Sequence, residues 1–285
     1  MSDNGQQRES TRLPLETSGA PRVIDIRHPE GTFALTPASH IALQAIGRNR
    51  RKLAGSGIDW GCGSGCLSIA AAMIPAVSRI VGLDIVEANV AIARSNAALN
   101  GVADKALFMK SDSYAPFHQS DRDLLDALPG KIDFILANPP ASNGDDGFEY
   151  RRIVLQGARR FLKAGGVVYL NISLQYGKRR IERLTRDISG FTHRGALAST
   201  DWVPFDLNRA DLLRSLEDYA AEEARGGMEY SFRQPPPAGG KIMNARSALA
   251  HFQDTGESPL SQWQVHLFEF KSGTSSARKK SQLPE

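Results

Sequence analysis

Residues 57–65, Gly57-Ile58-Asp59-Trp60-Gly61-Cys62-Gly63-Ser64-Gly65, constrain this chain more than any other stretch. A short apolar run leads into three alternate glycines, and Leu67-Ser68-Ile69-Ala70-Ala71-Ala72-Met73 follows as a helix. Glycine tolerates positive φ and carries no Cβ, so such a loop turns sharply and lets a ligand approach the backbone. At the C-terminal end of a first strand, this is where open α/β sheets hold nucleotide-like ligands. Taken alone, the loop also suits a tight strand-to-helix turn with no ligand.

Three further runs favour a ligand. Ile80-Val81-Gly82-Leu83-Asp84 ends in an acid at about the 20-residue spacing that suits a ribose carboxylate. Ala106-Leu107-Phe108-Met109-Lys110-Ser111-Asp112 also ends in an acid, and Ile132-Asp133-Phe134-Ile135-Leu136-Ala137 ends in Asn138-Pro139-Pro140. Four strand-like runs therefore deliver polar or glycine-rich ends to one edge of a sheet. The spacing departs from the dinucleotide fingerprint G-x-G-x-x-G, because Cys66 stands in the third glycine's place.

Asp59-x-Gly61-x-Gly63-x-Gly65, Asp84, Asp112 and Asn138-Pro139-Pro140 resemble, in this order, the motifs of class I S-adenosylmethionine-dependent methyltransferases. The resemblance implies an α/β fold: a seven-stranded Rossmann-like sheet with helices on both faces, using S-adenosyl-L-methionine. It implies cofactor contacts from Asp59, Gly61, Cys62, Gly63, Gly65, Asp84, Ile85, Asp112, Ser113 and Asn138. In it Asp59 lies under the methionine portion, Asp84 takes the ribose, and Asp112 and Ser113 lie near the adenine.

Asn138, Pro139 and Pro140 are the expected catalytic residues. An amide or aromatic amine nitrogen is a poor nucleophile because its lone pair is delocalised. The Asn138 side-chain oxygen and the Pro139 carbonyl can each hold one N–H and turn the lone pair towards an electrophilic methyl. Proline fixes φ and has no N–H, so the turn presents acceptors only. The alternative for these residues is a rigid strand-ending turn.

From about residue 55 to 175 the chain is similar to the glutamine N5-methyltransferases of release factors and ribosomal proteins. Asp146-Gly147-Phe148-Glu149-Tyr150-Arg151-Arg152-Ile153 and Phe161-Leu162-Lys163-Ala164-Gly165-Gly166 carry this likeness. The chain departs from the family where an aromatic residue follows the second proline, since Ala141 stands there. Phe33, Phe148 or Tyr150 are candidates to replace that aromatic, and Phe33, Pro37, Ala141, Phe148 and Tyr150 are the candidate substrate contacts. A protein glutamine is the preferred acceptor. A nucleobase amine, a small-molecule amine and a non-catalytic cofactor-binding module are the alternatives.

A chain of 285 residues, 41% hydrophobic and 23% charged, suits one α/β domain with an elaboration. The expected organisation is a disordered tail (1–20), strand and helix elements beside the pocket (21–54) and a cofactor-binding body (55–200 and 262–271). An insertion (201–261) between strands six and seven serves as cap or dimerisation element, and a basic tail (272–285) follows. Arg22 to Arg27 is expected to form an edge strand or a hairpin with Thr32 to Leu35. The polar N-terminus and the lack of a long apolar run point to a cytoplasmic protein off the membrane.

Cys62 and Cys66 are the only cysteines and the 6 histidines show no ligand spacing, so no metal is expected. Basic runs at 48–52, 151–160 and 178–186 are solvated helix faces or, with RNA as the alternative partner, contacts to a phosphate backbone. The expected partner is a protein substrate, with a homodimer through the insertion as a further possibility.

Overall fold

The computed structural model describes residues 10–17, 20–142, 146–236 and 240–271. Strands β1 (Ser10–Thr17) and β2 (Ala20–Arg27) precede helix α1 (Pro37–Arg48). The body then alternates: β3 (Gly55–Trp60), α2 (Cys66–Ala72), β4 (Val77–Asp84), α3 (Glu87–Leu99), β5 (Ala106–Asp112), the short β6 (Ala115–Pro116) and α4 (Gln119–Asp126). It continues with β7 (Ile132–Ala137), α5 (Glu149–Phe161), β8 (Leu162–Asn171), α6 (Gly177–Asp187) and β9 (Phe191–Ser199). The inserted segment contributes β10 (Val203–Pro204), α7 (Ala210–Ala224), β11 (Phe232–Arg233), β12 (Ile242–Met243), α8 (Ala245–Thr255) and β13 (Leu260–Ser261). Strand β14 (Gln264–Phe270) closes the described chain.

The central sheet runs β6-β5-β4-β3-β7-β8-β14-β9. Strands β5, β4, β3, β7 and β8 are parallel, and β14 lies antiparallel between β8 and β9. The sheet has eight strands rather than seven because the two-residue β6 pairs with the end of β5. Helices cover both faces, which is why the strands read as near-continuous apolar runs. Ile46 from α1, Ile69 from α2 and Val90 from α3 pack on one face; Val154 from α5, Leu184 from α6 and Leu216 from α7 pack on the other. Strand order reverses on either side of β3, so the crevice between the ends of β3 and β7 is the topological switch point where such sheets bind ligands.

The N-terminal part differs from expectation. Strand β2 pairs with β1, not with Thr32–Leu35, and β1 occupies positions 10–17 of the expected disordered tail. Residues 1–9 of that tail, and the whole 272–285 tail, lie outside the described residues. What fixes the segment beside the pocket is α3. Asn100 and Asn96 accept from the Asp25 and Arg27 amides, each at 3.0 Å, and Asn89 accepts from the Phe33 amide at 3.0 Å. Thr36 caps α1, with Pro37 in its first turn.

The insertion forms a second sheet, ordered β10-β13-β11-β12, with α7 and α8 beside it. Its Phe205, Leu216, Tyr219 and Phe232 belong to the same buried cluster as Phe161 and Leu170 of the body. Two arginines of the basic runs, Arg151 and Arg180, are buried rather than solvated. Several others are neutralised on the surface, as in Arg160–Asp126 and Arg183–Asp187. Among the described residues, no helix is long and apolar enough to cross a membrane.

Candidate active site

The glycine loop after β3 needs its glycines for different reasons. Gly61, Gly63 and Gly65 have φ of +66°, +54° and +85°, the left-handed region that L side chains rarely adopt. A Cβ on Gly61 would meet nothing within 4 Å, because that position faces an open cavity. A Cβ on Gly65 would lie 3.0 Å from Ala93, so this glycine serves the packing of α2 and α3. Gly65 does not line the cavity, contrary to its expected cofactor contact.

Asp84, at the end of β4, holds the loop from beside. Its Oδ2 accepts from the Gly63 amide at 2.8 Å, and its Oδ1 from the Val86 amide at 2.9 Å and Asn89 Nδ2 at 3.1 Å. Asp59 is off the cavity wall as well. It is fully buried, and its Oδ2 accepts from the amide and hydroxyl of Ser68, at 3.0 and 2.7 Å, in the first turn of α2. Its Oδ1 has no partner. Burial, opposed by the Ser68 bonds, pushes the carboxyl up to about 7. Cys62 and Cys66 are free thiols in the cavity wall; burial raises both, Cys66 to about 12. Among the described residues no group of three or more His, Cys, Asp or Glu could hold a metal.

The cavity of about 720 Å³ has the size of a small-molecule or cofactor site. On its glycine side lie Gly61, Cys62, Gly63, Asp84, Ile85, Asp112 and Ser113, all from the sequence-based set. Ser113 is the only non-glycine with positive φ, +53°, among the described residues. Its hydroxyl accepts the Trp60 indole N–H at 2.8 Å. Trp60 was not singled out from sequence; it lines the cavity with its ring centroid 6.1 Å from that of Tyr150. Phe33 and Pro37 reach the same cavity from the start of α1.

Asn138, Pro139, Pro140 and Ala141 line the cavity where β7 ends. The Asn138 side chain makes no hydrogen bond with the described residues, whereas both prolyl carbonyls are occupied. Arg151, from the first turn of α5, donates from Nη2 to the Pro139 carbonyl at 3.1 Å and from Nη1 to the Pro140 carbonyl at 2.7 Å. The Pro139 oxygen, expected from the sequence to accept an N–H, thus already accepts one bond from a guanidinium and keeps one lone pair. Phe148 is not a cavity residue: it is 1% exposed and packs against Tyr176 with centroids 5.0 Å apart. Tyr150 does line the cavity.

The opposite wall comes from residues that sequence reasoning did not assign. One face of α7, through Leu212, Ser215 and Tyr219, joins Phe205 and Trp263 there, and the buried amides Asn171 and Gln175 complete it. The sequence signal was present for α7, whose apolar positions recur at helical spacing. Nothing marked which way that face would turn.

Comparisons with known proteins bear on the family and the fold. The family model for ribosomal protein L11 methyltransferase (PrmA) matches residues 31–209. A release factor glutamine methyltransferase from Cereibacter sphaeroides is 27% identical over 180 residues, covering 55% of this chain and 58% of its own. A ribosomal protein L11 methyltransferase from Anoxybacillus flavithermus is 32% identical over 170 residues, covering 59% and 47%. The chain therefore spans about half the length of these curated relatives. Among solved structures, the T. thermophilus 16S rRNA N2 G1207 methyltransferase, in complex with AdoMet and guanosine, aligns with a TM-score of 0.50 at 23% identity over 65% of this chain and 47% of that one. The P. horikoshii TYW2 structure aligns with a TM-score of 0.51 at 14% identity, over 87% and 69%. These two likenesses bear on the fold alone.

Proposed function

The chain belongs to the ribosomal protein L11 methyltransferase (PrmA) family, and from that premise we propose that it is an S-adenosyl-L-methionine-dependent N-methyltransferase acting on the side-chain amide of a protein glutamine. Residues 55–200 and 262–271 would form the cofactor-binding body, and 201–261 a cap over the acceptor.

Three observations favour the cofactor. The space opposite Gly61 is open, so backbone and ligand can come into contact. Asp84 Oδ2 carries a single hydrogen bond and keeps a lone pair for a ribose hydroxyl. The cavity, about 720 Å³, has the size of a cofactor site. Gly61, Cys62 and Gly63 would hold the methionine portion, Asp84 the ribose, and Ile85, Asp112 and Ser113 the adenine. When bound, S-adenosylmethionine supplies an electrophilic methyl group on a sulfonium.

The chain's part in the reaction is orientation. Asn138 Oδ1 accepts one N–H of the acceptor, fixes the direction of its lone pair and stabilises the positive charge that develops on nitrogen. The single observation that carries this reading is the position of Asn138: unpartnered among the described residues, in the wall of the cavity that also contains Gly61, Gly63 and Asp84. A small-molecule acceptor is the second reading, favoured by the Phe205, Leu212 and Tyr219 wall that the insertion adds to the cavity.

The test is incubation with methyl-labelled cofactor and a cell extract, followed by sorting label into protein, RNA and small-molecule fractions. Label in protein, recovered as methylated glutamine, is the expected result; label confined to another fraction overturns the glutamine assignment. Asn138→Ala should lower transfer at least a hundredfold while S-adenosylhomocysteine binding, followed by calorimetry, stays intact. Unchanged turnover removes Asn138 from the reaction.

A further inference from the structure

We infer that Asn171 and Gln175, together with Asn138, form a reading site for a primary carboxamide. The inference deepens the glutamine reading and rests on it for the role of Asn138, but its own evidence is independent.

Strands β7 and β8 are parallel, with Ala137 paired to Leu170. The next residue on each strand is therefore Asn138 and Asn171, side by side at the edge that bears the cavity. Residues paired in a parallel ladder face the same side of the sheet. Leu136 and Tyr169, two positions back, both belong to the cluster on the α1 face, so Asn138 and Asn171 point to that face too. Gln175 follows one short turn later, and all three residues line the cavity.

Both new amides are 2% exposed, and each is tied at one end only. Asn171 donates from Nδ2 to the Ala38 carbonyl at 3.0 Å, which leaves its Oδ1 for the cavity. Gln175 accepts at Oε1 from the Ser261 hydroxyl at 2.7 Å, which leaves its Nε2. Neither free end has a partner among the described residues. Neither is among the fully buried atoms that lack a partner, so both ends open onto the cavity, where a ligand can take the place of water.

The free ends form a pattern of two acceptors, Asn138 Oδ1 and Asn171 Oδ1, and one donor, Gln175 Nε2. A primary carboxamide offers the complement: two N–H donors and one carbonyl. A carboxylate offers acceptors only and would face two oxygens; an ammonium offers donors only and would face the Gln175 N–H. Asn171 also adds an acceptor beside the Pro139 carbonyl, one of whose two lone pairs is engaged by Arg151. An adenine edge carries a similar donor and acceptor pair, but at position 141 an alanine stands in place of a stacking ring.

The test needs no turnover. Protein saturated with S-adenosylhomocysteine is titrated with N-acetylglutamine methylamide, its glutamate counterpart and 9-methyladenine. The glutamine probe should bind at least tenfold tighter than the glutamate probe, as expected for a site with buried hydrogen-bonding groups. Gln175→Glu keeps the oxygen that accepts from Ser261 and turns the free donor into an acceptor. It should remove the preference while S-adenosylhomocysteine binding is unchanged, and Asn171→Ala should weaken the glutamine probe roughly tenfold. Equal binding of glutamine and glutamate by the wild-type protein overturns the inference, as does tighter binding of 9-methyladenine or a preference that survives Gln175→Glu. Carboxamide preference without any methyl incorporation keeps the inference and sinks the transferase reading. Glutamine methylation indifferent to Gln175→Glu does the reverse.

Discussion

Replacing Asp59 with asparagine should change how stability depends on pH, and the size of the change follows from the site. The carboxyl is fully buried, and desolvation outweighs its two bonds from Ser68, with Asp84 adding repulsion. It ionises near 3.8 in the unfolded chain and near 7 in the folded one. Between those values the folded state holds a proton that the unfolded state has released, so stability falls as pH rises. The contribution is intact below about pH 4 and lost above about pH 7, and its full size is about 4 kcal/mol. The substituted amide would keep an oxygen for Ser68 and has no charge to bury.

The assay is urea unfolding of both proteins without ligand from pH 4 to pH 8. The stability of the variant relative to wild type should climb by about 4 kcal/mol across that range, with nearly all of the climb complete by pH 7. His266 acts in the opposite sense: burial lowers it to about 4, so the folded protein gains stability as pH rises from there towards 6.5. That contribution is common to both proteins and cancels in the difference. Curves that run parallel from pH 4 to pH 8 would refute the assignment of a raised carboxyl at position 59.

Two further substitutions separate packing from binding. Gly65→Ala should cost roughly 2–4 kcal/mol in chemical unfolding, from left-handed strain plus the 3.0 Å approach to Ala93. Gly61→Ala should cost only about 1–2 kcal/mol, since its Cβ meets no atom, yet weaken S-adenosylhomocysteine at least tenfold; the reverse ranking in either assay contradicts the division made here. Arg151→Met strips donors from the Pro139, Pro140 and Gly147 carbonyls and should cost about 3 kcal/mol or more. Its turnover should fall further than its cofactor affinity, and a stability within about 1 kcal/mol of wild type would deny the guanidinium its part in holding the turn.

The parts of this fold that could be read from sequence are those whose pattern is local. Strands β3, β4, β7 and β8 are covered on both faces, and the resulting apolar runs ending in Gly61, Asp84, Asn138 and Asn171 are visible without coordinates. Strand β1 was not, because a strand paired along one edge needs only backbone partners and Ser10–Thr17 has no continuous apolar run. The strands of the insertion are two residues long, below any periodic signal. The asparagines of α3 are a further legible signal. Asn89, Asn96 and Asn100 recur at spacings that share a helix face, and asparagine is a poor helix former. That face bears the side chains that bind β2 and the Phe33 segment. Asp59 and Gly65 were read as ligand contacts because they belong to the motif. The structure divides the motif into positions that face the cavity and positions that fasten α2 to the sheet.

The insertion and the Asn138-Pro139-Pro140 turn are joined by one run of hydrogen bonds. The Tyr219 hydroxyl on α7 meets the Tyr176 hydroxyl at 3.0 Å, and Tyr176 donates to the Gly147 carbonyl at 3.1 Å. Arg151 Nη1 binds that same carbonyl at 3.1 Å while its guanidinium holds the two prolyl oxygens. Gly147 has φ of +71°, and a Cβ there would lie 2.9 Å from the Tyr219 ring, so the chain can pass beneath α7 only as glycine. Lifting α7 would break the contact between the Tyr219 and Tyr176 hydroxyls, at a cost of about 1–3 kcal/mol, while the Gly147 carbonyl keeps Tyr176 and Arg151. The cavity wall that α7 supplies is therefore tied to the body of the fold by these bonds. The family match ends at residue 209, one position before α7 begins, so this part of the wall is drawn from chain that the family model does not cover. On the proposed reading, acceptor choice is therefore the property least transferable from the relatives, and α7, Asn171 and Gln175 are the parts proposed to set it.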